Sequence, residues 1–387
     1  MPILPPTNPA IPRCPRCRAK AVIKKGTRTT RHEARQRWGC TRCGHTFTNL
    51  VTKHSPYPVK VIMEAIGRYN LGYSARQTVR YLKGRFRIAV PEKTFRLWYT
   101  AHKPICTYHT IRDEIKHRFE PAGLIEKHYL QHRQVYLYTL HHGKLERLFS
   151  FRYHRTYEPI RAYLASVPRS SFPHHLFTPD SPVRSSTYPV RLSATVTRKE
   201  NYATKLAALA LQIAPSIKKR HETLQRFMLL NDSATIAVEV PIYLTSEDSA
   251  YFEVHGFTFP FGEHPIIGHI DFLQLRSGFL HILDYKPDAA KKTHAVTQLT
   301  IYAMALSRRT GIPVKAFKCA YFDERDYLEF LGAWAKTPIF WGWAQGIEEE
   351  FGTFSLSELQ SVRGKLGLPV ERDLYFKPTP LKELMKK

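Results

Sequence analysis

The chain has 387 residues, 43% of them hydrophobic, which is enough for a packed core and too much for a disordered chain. Its formal net charge is +27. A charge that large points to a polyanion, with DNA the first candidate partner and RNA the second. No apolar run approaches the roughly 20 residues of a membrane helix, so no membrane partner is expected. The opening Met1-Pro2-Ile3-Leu4-Pro5-Pro6 lacks the basic start and long apolar segment of a signal peptide, so an intracellular, cytoplasmic protein is expected.

The charge is uneven. Residues 1–103 hold 22 Lys or Arg against 3 Asp or Glu, a net +19 of the total +27. This quarter is the expected electrostatic docking surface. It also carries four of the six cysteines, as Cys14-x2-Cys17 and Cys40-x2-Cys43 separated by 22 residues. Two such pairs offer four thiolates to a tetrahedral Zn²⁺, and the gap accommodates a β-hairpin through Ala21–Ile23 and Gln36–Gly39. The expectation is a zinc ribbon over residues 1–52, folded around structural Zn²⁺. The run from Trp38 to Phe47 resembles the ribbon that opens many insertion-sequence transposases.

Residues 53–103 read as helices. One helical pattern runs from Pro58 to Gly72. Ser74 is a candidate N-cap for Ala75–Lys83, and Pro91 opens a helix to Ala101. This order suggests a helix-turn-helix DNA-binding domain, with Arg76, Arg80, Lys93 and Arg96 facing phosphates or bases.

Residues 104–165 are expected to form a separate α+β middle region, with a weak helix over Thr107–Phe119. Strands are expected at Gln134–Leu140 and Leu145–Tyr153, joined by a turn at His141-His142-Gly143-Lys144. A transposase catalytic domain would carry an Asp on its first strand here. This strand has none, so no transposase triad is assigned. Residues 166–200, rich in Ser and Pro, read as a linker.

The second half, residues 201–350, alternates helix and strand. Helical patterns at Asn201–Ile213 and Lys218–Leu230 precede a strand at Ile236–Leu244. Two apolar runs follow, Gly268–Leu273 and Leu280–Lys286, joined by Arg276-Ser277-Gly278, which makes a hairpin. Asp271 stands on one strand, Asp284 on the other, and Lys286 lies two residues past Asp284. Two carboxylates suit Mg²⁺ or Mn²⁺, and a nearby ammonium suits phosphodiester hydrolysis. A helix holding Gln298 and Tyr302 and a strand at Val314–Phe322 complete the order.

This arrangement of Gly-x-Ile-Asp, Asp-x-Lys and Gln-x-x-x-Tyr resembles the PD-(D/E)xK nuclease superfamily, RecB-like branch. The resemblance implies a restriction-endonuclease-like α/β core and a metal held by Asp271, Asp284 and the Tyr285 carbonyl. It makes Lys286 the residue that positions water, and gives Gln298 and Tyr302 the placing of the DNA strand. It also implies a ligand on the first helix, where His221 and Glu222 stand, with Glu239 on the next strand as a rival. Glu222 is the candidate carried as a metal ligand. Residues 331–350 hold Trp334, Phe340, Trp341 and Trp343, a core cluster or stacking platforms. Residues 351–387 read as a last helix and a basic tail.

The expected whole is an α+β multidomain protein with an N-terminal zinc ribbon and helix-turn-helix and a C-terminal nuclease core. Its expected activity is Mg²⁺-dependent DNA cleavage in a mobile element or defence system. The competing expectation is a DNA-binding regulator or transposition accessory protein with a non-catalytic nuclease fold.

Overall fold

The structure, a computed structural model, describes residues 12–331 except 30, 31, 33, 49–55, 179–182, 190, 191, 193, 215, 217, 218 and 255–260. The aromatic stretch at 331–350, apart from residue 331, and the expected last helix and tail lie outside the described residues. Of two compact units, the one formed by Met1–Tyr251 and Pro260–Thr337 holds the sheets and both candidate sites.

The N-terminal strands β1 (Val22–Thr29), β2 (Ala34–Cys40) and β3 (Thr46–Thr48) form an antiparallel three-stranded sheet. Each Cys-x2-Cys closes a matching turn. The Arg18 N–H donates to the Cys14 carbonyl at 2.8 Å, and the Gly44 N–H to the Cys40 carbonyl at 2.9 Å. Arg18 and Gly44 both take positive φ, 57° and 69°, which lets the chain turn back under the sulfurs.

Helices α1 (Val59–Asn70), α2 (Ala75–Phe86) and α3 (Glu92–His102) pack on one another. Ser74 caps α2 through a reciprocal bond with Gln77, as its sequence position predicts. Val61, Ile62, Ala65 and Ile66 give α1 a fully buried face at helical spacing.

After α4 (His109–Lys116), strands β4 (Ile125–His132) and β5 (Gln134–His141) form a hairpin. The next segment departs from expectation. It is helix α5 (His142–Phe149), not a strand, and the His141 ring caps it by accepting from the Lys144 N–H at 3.3 Å. Leu145, Leu148 and Phe149 are buried at helical spacing, a period hidden by the short apolar run.

The middle region is not a separate module. Strand β5 pairs with β8 (Thr235–Leu244), so β4 and β5 extend the same sheet as β9 (Ile266–Arg276) and β10 (Phe279–Tyr285). The main path runs β4-β5-β8-β9-β10-β11-β12-β7, where β11 is Phe317–Phe322, β12 Tyr327–Leu331 and β7 Thr197–Lys199. Along it only β10 and β11 run parallel.

Residues 166–200 are likewise no spacer. Helix α6 (Glu158–Ser166) leads into a segment whose strand β6 (Val183–Arg184) pairs with the start of β9, and whose β7 edges the sheet at β12. Ser- and Pro-rich sequence favours irregular backbone, but that backbone still needs partners, and the core supplies them. The Leu192 N–H, for example, donates to the Thr297 hydroxyl at 2.8 Å.

Helices α7 (Tyr202–Ile213) and α8 (Arg220–Asn231) precede β8, a short α9 (Ser249–Val254) follows it, and α10 (Ala295–Thr310) connects β10 to β11. The order α8-β8-β9-β10-α10-β11 is the one expected from sequence. Every residue of α10 from Ala295 to Ser307 is buried.

Candidate functional sites

The β9–β10 hairpin turns through Ser277 (φ 50°) and Gly278 (φ 72°), the two left-handed residues of a tight two-residue loop. Its pairing sets Leu283 opposite Phe272, which brings Asp284 beside Asp271. Asp271 is 9% exposed and Asp284 2%. The Tyr285 N–H donates to Asp271 Oδ2 at 3.0 Å, and Lys286 Nζ lies 2.7 Å from Asp284 Oδ2. The three charged groups named from the sequence therefore meet. The Tyr285 backbone reaches Asp271 through its N–H.

Two helices frame this group. His221 and Gln225, four residues apart on α8, share the side turned to the sheet. His221 Nδ1 lies 3.3 Å from Asp271 Oδ2, and its ring meets the Tyr285 ring edge-on at 5.2 Å. Gln225 Nε2 donates to Glu239 at 2.6 Å. Glu239 sits at φ 53° inside β8, a left-handed backbone within the strand beside the site. Glu222, the candidate from sequence, is turned away. It is exposed and bonded to Lys219 at 2.5 Å, because one step along a helix rotates a side chain by roughly 100°.

On α10 the Gln298 amide donates to the Tyr302 hydroxyl at 2.7 Å. Tyr302 is 2% exposed and packs under Gly268, where a Cβ would overlap its ring and the Ser185 hydroxyl. That close approach is why glycine opens the Gly-x-Ile-Asp run. The pair is bonded inward, beneath β9.

The electrostatics follow from burial. Burial raises the carboxyl of Asp284 well above its ordinary range, and the charge of Asp271 adds to this although Lys286 opposes it. For Asp271 burial also raises, but His221, Asp284 and Lys286 outweigh it and hold the group low, so it stays ionised. Burial, with the nearby Asp271, pushes Glu239 up to about 7. Burial lowers Lys286, yet the two aspartates win and its ammonium is held charged. Asp284 Oδ2 is buried, with Lys286 Nζ 2.7 Å away as its counter-charge. Two buried, crowded carboxylates sharing one ammonium are a donor set that a hard divalent cation suits.

The four cysteines make the second centre. Cys14 Sγ lies 3.5 Å from Cys43 Sγ, and Cys17 Sγ 3.5 Å from Cys40 Sγ, too far for disulfides. All four sulfurs lie within 4.8 Å of one another, and among the described residues no other group of three or more metal-ligand side chains is so close. Burial raises the Cys14 thiol, but the N–H groups of Cys17 and Arg16 and neighbouring thiols bring it down to about 7. The set fits Zn²⁺.

Residues 184–353 match the PD-(D/E)XK nuclease superfamily. That span contains Asp271, Asp284, Lys286, Gln298 and Tyr302, and begins at β6, inside the expected linker. Residues 344–385 match a second family, Protein of unknown function (DUF2958), and lie outside the described residues. No curated protein and no solved structure matches the chain.

Arg76, Arg80, Lys93 and Arg96 are all exposed on α2 and α3. Sequence reasoning missed two buried networks. His132 bonds His269 and His174, each at 2.9 Å. Lys144, fully buried, donates to the Leu229 carbonyl at 2.7 Å and to Asp232 at 3.2 Å. Neither has a local signal, because the partners are 42 to 137 residues apart.

Proposed function

We propose that this protein is a metal-dependent DNA nuclease of RecB-like type, brought to duplex DNA by its ribbon and a helix-turn-helix formed by α2 and α3. The meeting of Asp271, Asp284 and Lys286 at the hairpin carries the reading. Asp271, Asp284 and the Tyr285 carbonyl would hold Mg²⁺ or Mn²⁺, with His221, and not Glu222, supporting Asp271 from α8. When bound, the cation polarises the scissile phosphate and makes a coordinated water more acidic.

The chain's own groups do the rest. Lys286, held as an ammonium, donates to the attacking water and offsets charge growing on the phosphate oxygens. The water oxygen bonds to phosphorus as the bond to one ester oxygen breaks; the water's proton passes to solvent, and the departing oxygen takes a proton from solvent to leave as a hydroxyl. His221 keeps Asp271 ionised and oriented. Gln298 and Tyr302 hold the floor under Gly268, so that β9 presents Asp271 at a fixed height. Ribbon and helices supply the cationic surface, with Arg76, Arg80, Lys93 and Arg96 on the DNA side.

The test is cleavage of plasmid and linear DNA with Mg²⁺, Mn²⁺ or EDTA, with matched RNA as competitor. Asp284→Ala is expected to abolish cleavage, and Lys286→Ala to lower it by about 10²–10³-fold, while DNA retention in a gel persists. Equal cleavage by wild type and Lys286→Ala overturns the assignment. Binding without cleavage by the wild type, with every metal, leaves the accessory-protein reading instead.

A further inference from the structure

The basic three-helix unit and the acidic site share one core with no linker between them. Buried residues of α1, α2 and α3 join those of α7 and α8 and the sheet residues Val238, Phe272 and Leu283 in a single apolar cluster. The seam is also polar and specific. The Asn70 amide of α1 donates to the Leu230 carbonyl at 3.0 Å and to Asn231 Oδ1 at 3.1 Å, with both asparagines buried. Glu64 of α1 accepts from Arg226 of α8 at 3.1 Å and from Tyr81 of α2 at 3.2 Å. At Gly67 a Cβ would sit 3.4 Å from Leu230, so α1 and α8 lie close.

Helix α8 thus holds the basic unit through Arg226, Leu230 and Asn231 and, through His221 and Gln225, meets Asp271 and Glu239. From His221 to Asn231 is ten residues, roughly 15 Å along a helix axis. The ribbon joins the same body. Arg35 of β2 donates to the Tyr57 carbonyl at 3.1 Å, and the Tyr57 ring packs edge-on against Trp98 of α3 at 4.9 Å.

The outer side of α3 carries exposed Lys93, Arg96 and Thr100, and Leu97 at 63% exposure. Cations alone would serve phosphates. An exposed leucine between them adds an apolar group of the kind that meets thymine methyls in a major groove.

We propose that the protein cuts DNA at one fixed displacement from a sequence read by α3, the displacement being set by α8 packed against α1. This rests on the nuclease reading above. A tethered nuclease domain would scatter its cuts over the reach of its linker. A shared core allows one register, within about two duplex turns given these dimensions.

The test is to digest a library of random duplexes with the full-length, zinc-loaded protein and Mg²⁺, then sequence the ends. The expected result is one enriched sequence at one distance from the cut. With Arg96→Ala and Leu97→Ala together, the share of cuts in that register is expected to fall about tenfold or more, as for loss of base-edge contacts. Ends with no enriched sequence, or with one at scattered distances, overturn the inference. If those ends are still absent with Asp284→Ala, the nuclease reading survives that failure. If the wild type yields no cuts above Asp284→Ala, the nuclease reading falls and takes this inference with it.

Discussion

The cysteine cluster and the acidic site are both small sets of side chains poised for a cation, and they are built in opposite ways. Each half of the cysteine cluster is local: two cysteines three residues apart, with a left-handed residue next to the second closing the turn. Little else in the chain has to fold for those sulfurs to approach. The acidic site has only one local part, the hairpin that sets Asp284 beside Asp271. His221, Gln225, Glu239, Ser185 and Tyr302 come from four other elements, and each is placed by packing. The ribbon should therefore depend on its metal to fold, whereas the nuclease-like core should fold without metal and need it to act.

The largest effect should come from breaking the ribbon. Structural Zn²⁺ in such sites supplies about 10–16 kcal/mol of apparent binding free energy, which is also folding free energy. Cys40→Ser should lower bound zinc from one ion per chain to none by elemental analysis. The core's thermal transition should persist while DNA affinity drops. A variant that keeps stoichiometric zinc would show that four thiolates are not required.

Next is Lys286→Ala. The loss of one preorganised cationic donor is expected to lower the cleavage rate by about 10²–10³-fold. The melting temperature should not fall, because Asp284 is left to keep a proton that burial already favours. A large drop in stability would mean that Lys286 is a structural counter-ion.

His221→Ala should act more weakly. Side chains that orient metal ligands are worth about 10–100-fold in metal affinity or activity. The expected signature is a higher Mg²⁺ requirement with much of the maximal rate recovered at saturating metal. Glu222→Ala should leave both unchanged, since Glu222 is exposed and bonded to Lys219.

How far the sequence was readable follows the same division. The cysteines, the hairpin and the α8-β8-β9-β10-α10-β11 order rest on spacing and period within short windows, and those features are visible in a bare chain. The α5 helix was misread because Leu145, Leu148 and Phe149 fit a short strand as well as a helix until Lys144 is seen bonded to Leu229 and Asp232. The supposed linker was misread because its partners, β9, β12 and Thr297, lie far along the chain. On α8 the period alone cannot say whether residue 221 or 222 faces the sheet; the contacts of His221 and Gln225 decide it.

Tyr302 provides the smallest expected effect and tests how far the acidic site depends on its surroundings. In the resemblance drawn from sequence, Gln298 and Tyr302 place the DNA strand, yet the Tyr302 hydroxyl is buried and taken up by Gln298. Tyr302→Phe keeps the ring beneath Gly268 and removes the hydroxyl's hydrogen bonds with Gln298 and Ser185, which should cost about 0.5–1.5 kcal/mol for each in thermal or urea unfolding. Cleavage should fall by no more than that loss of order explains, and KM for DNA should hold. If instead stability is unchanged and KM rises severalfold, the hydroxyl touches substrate. The α10 pair would then be part of the DNA surface and not the floor beneath Asp271.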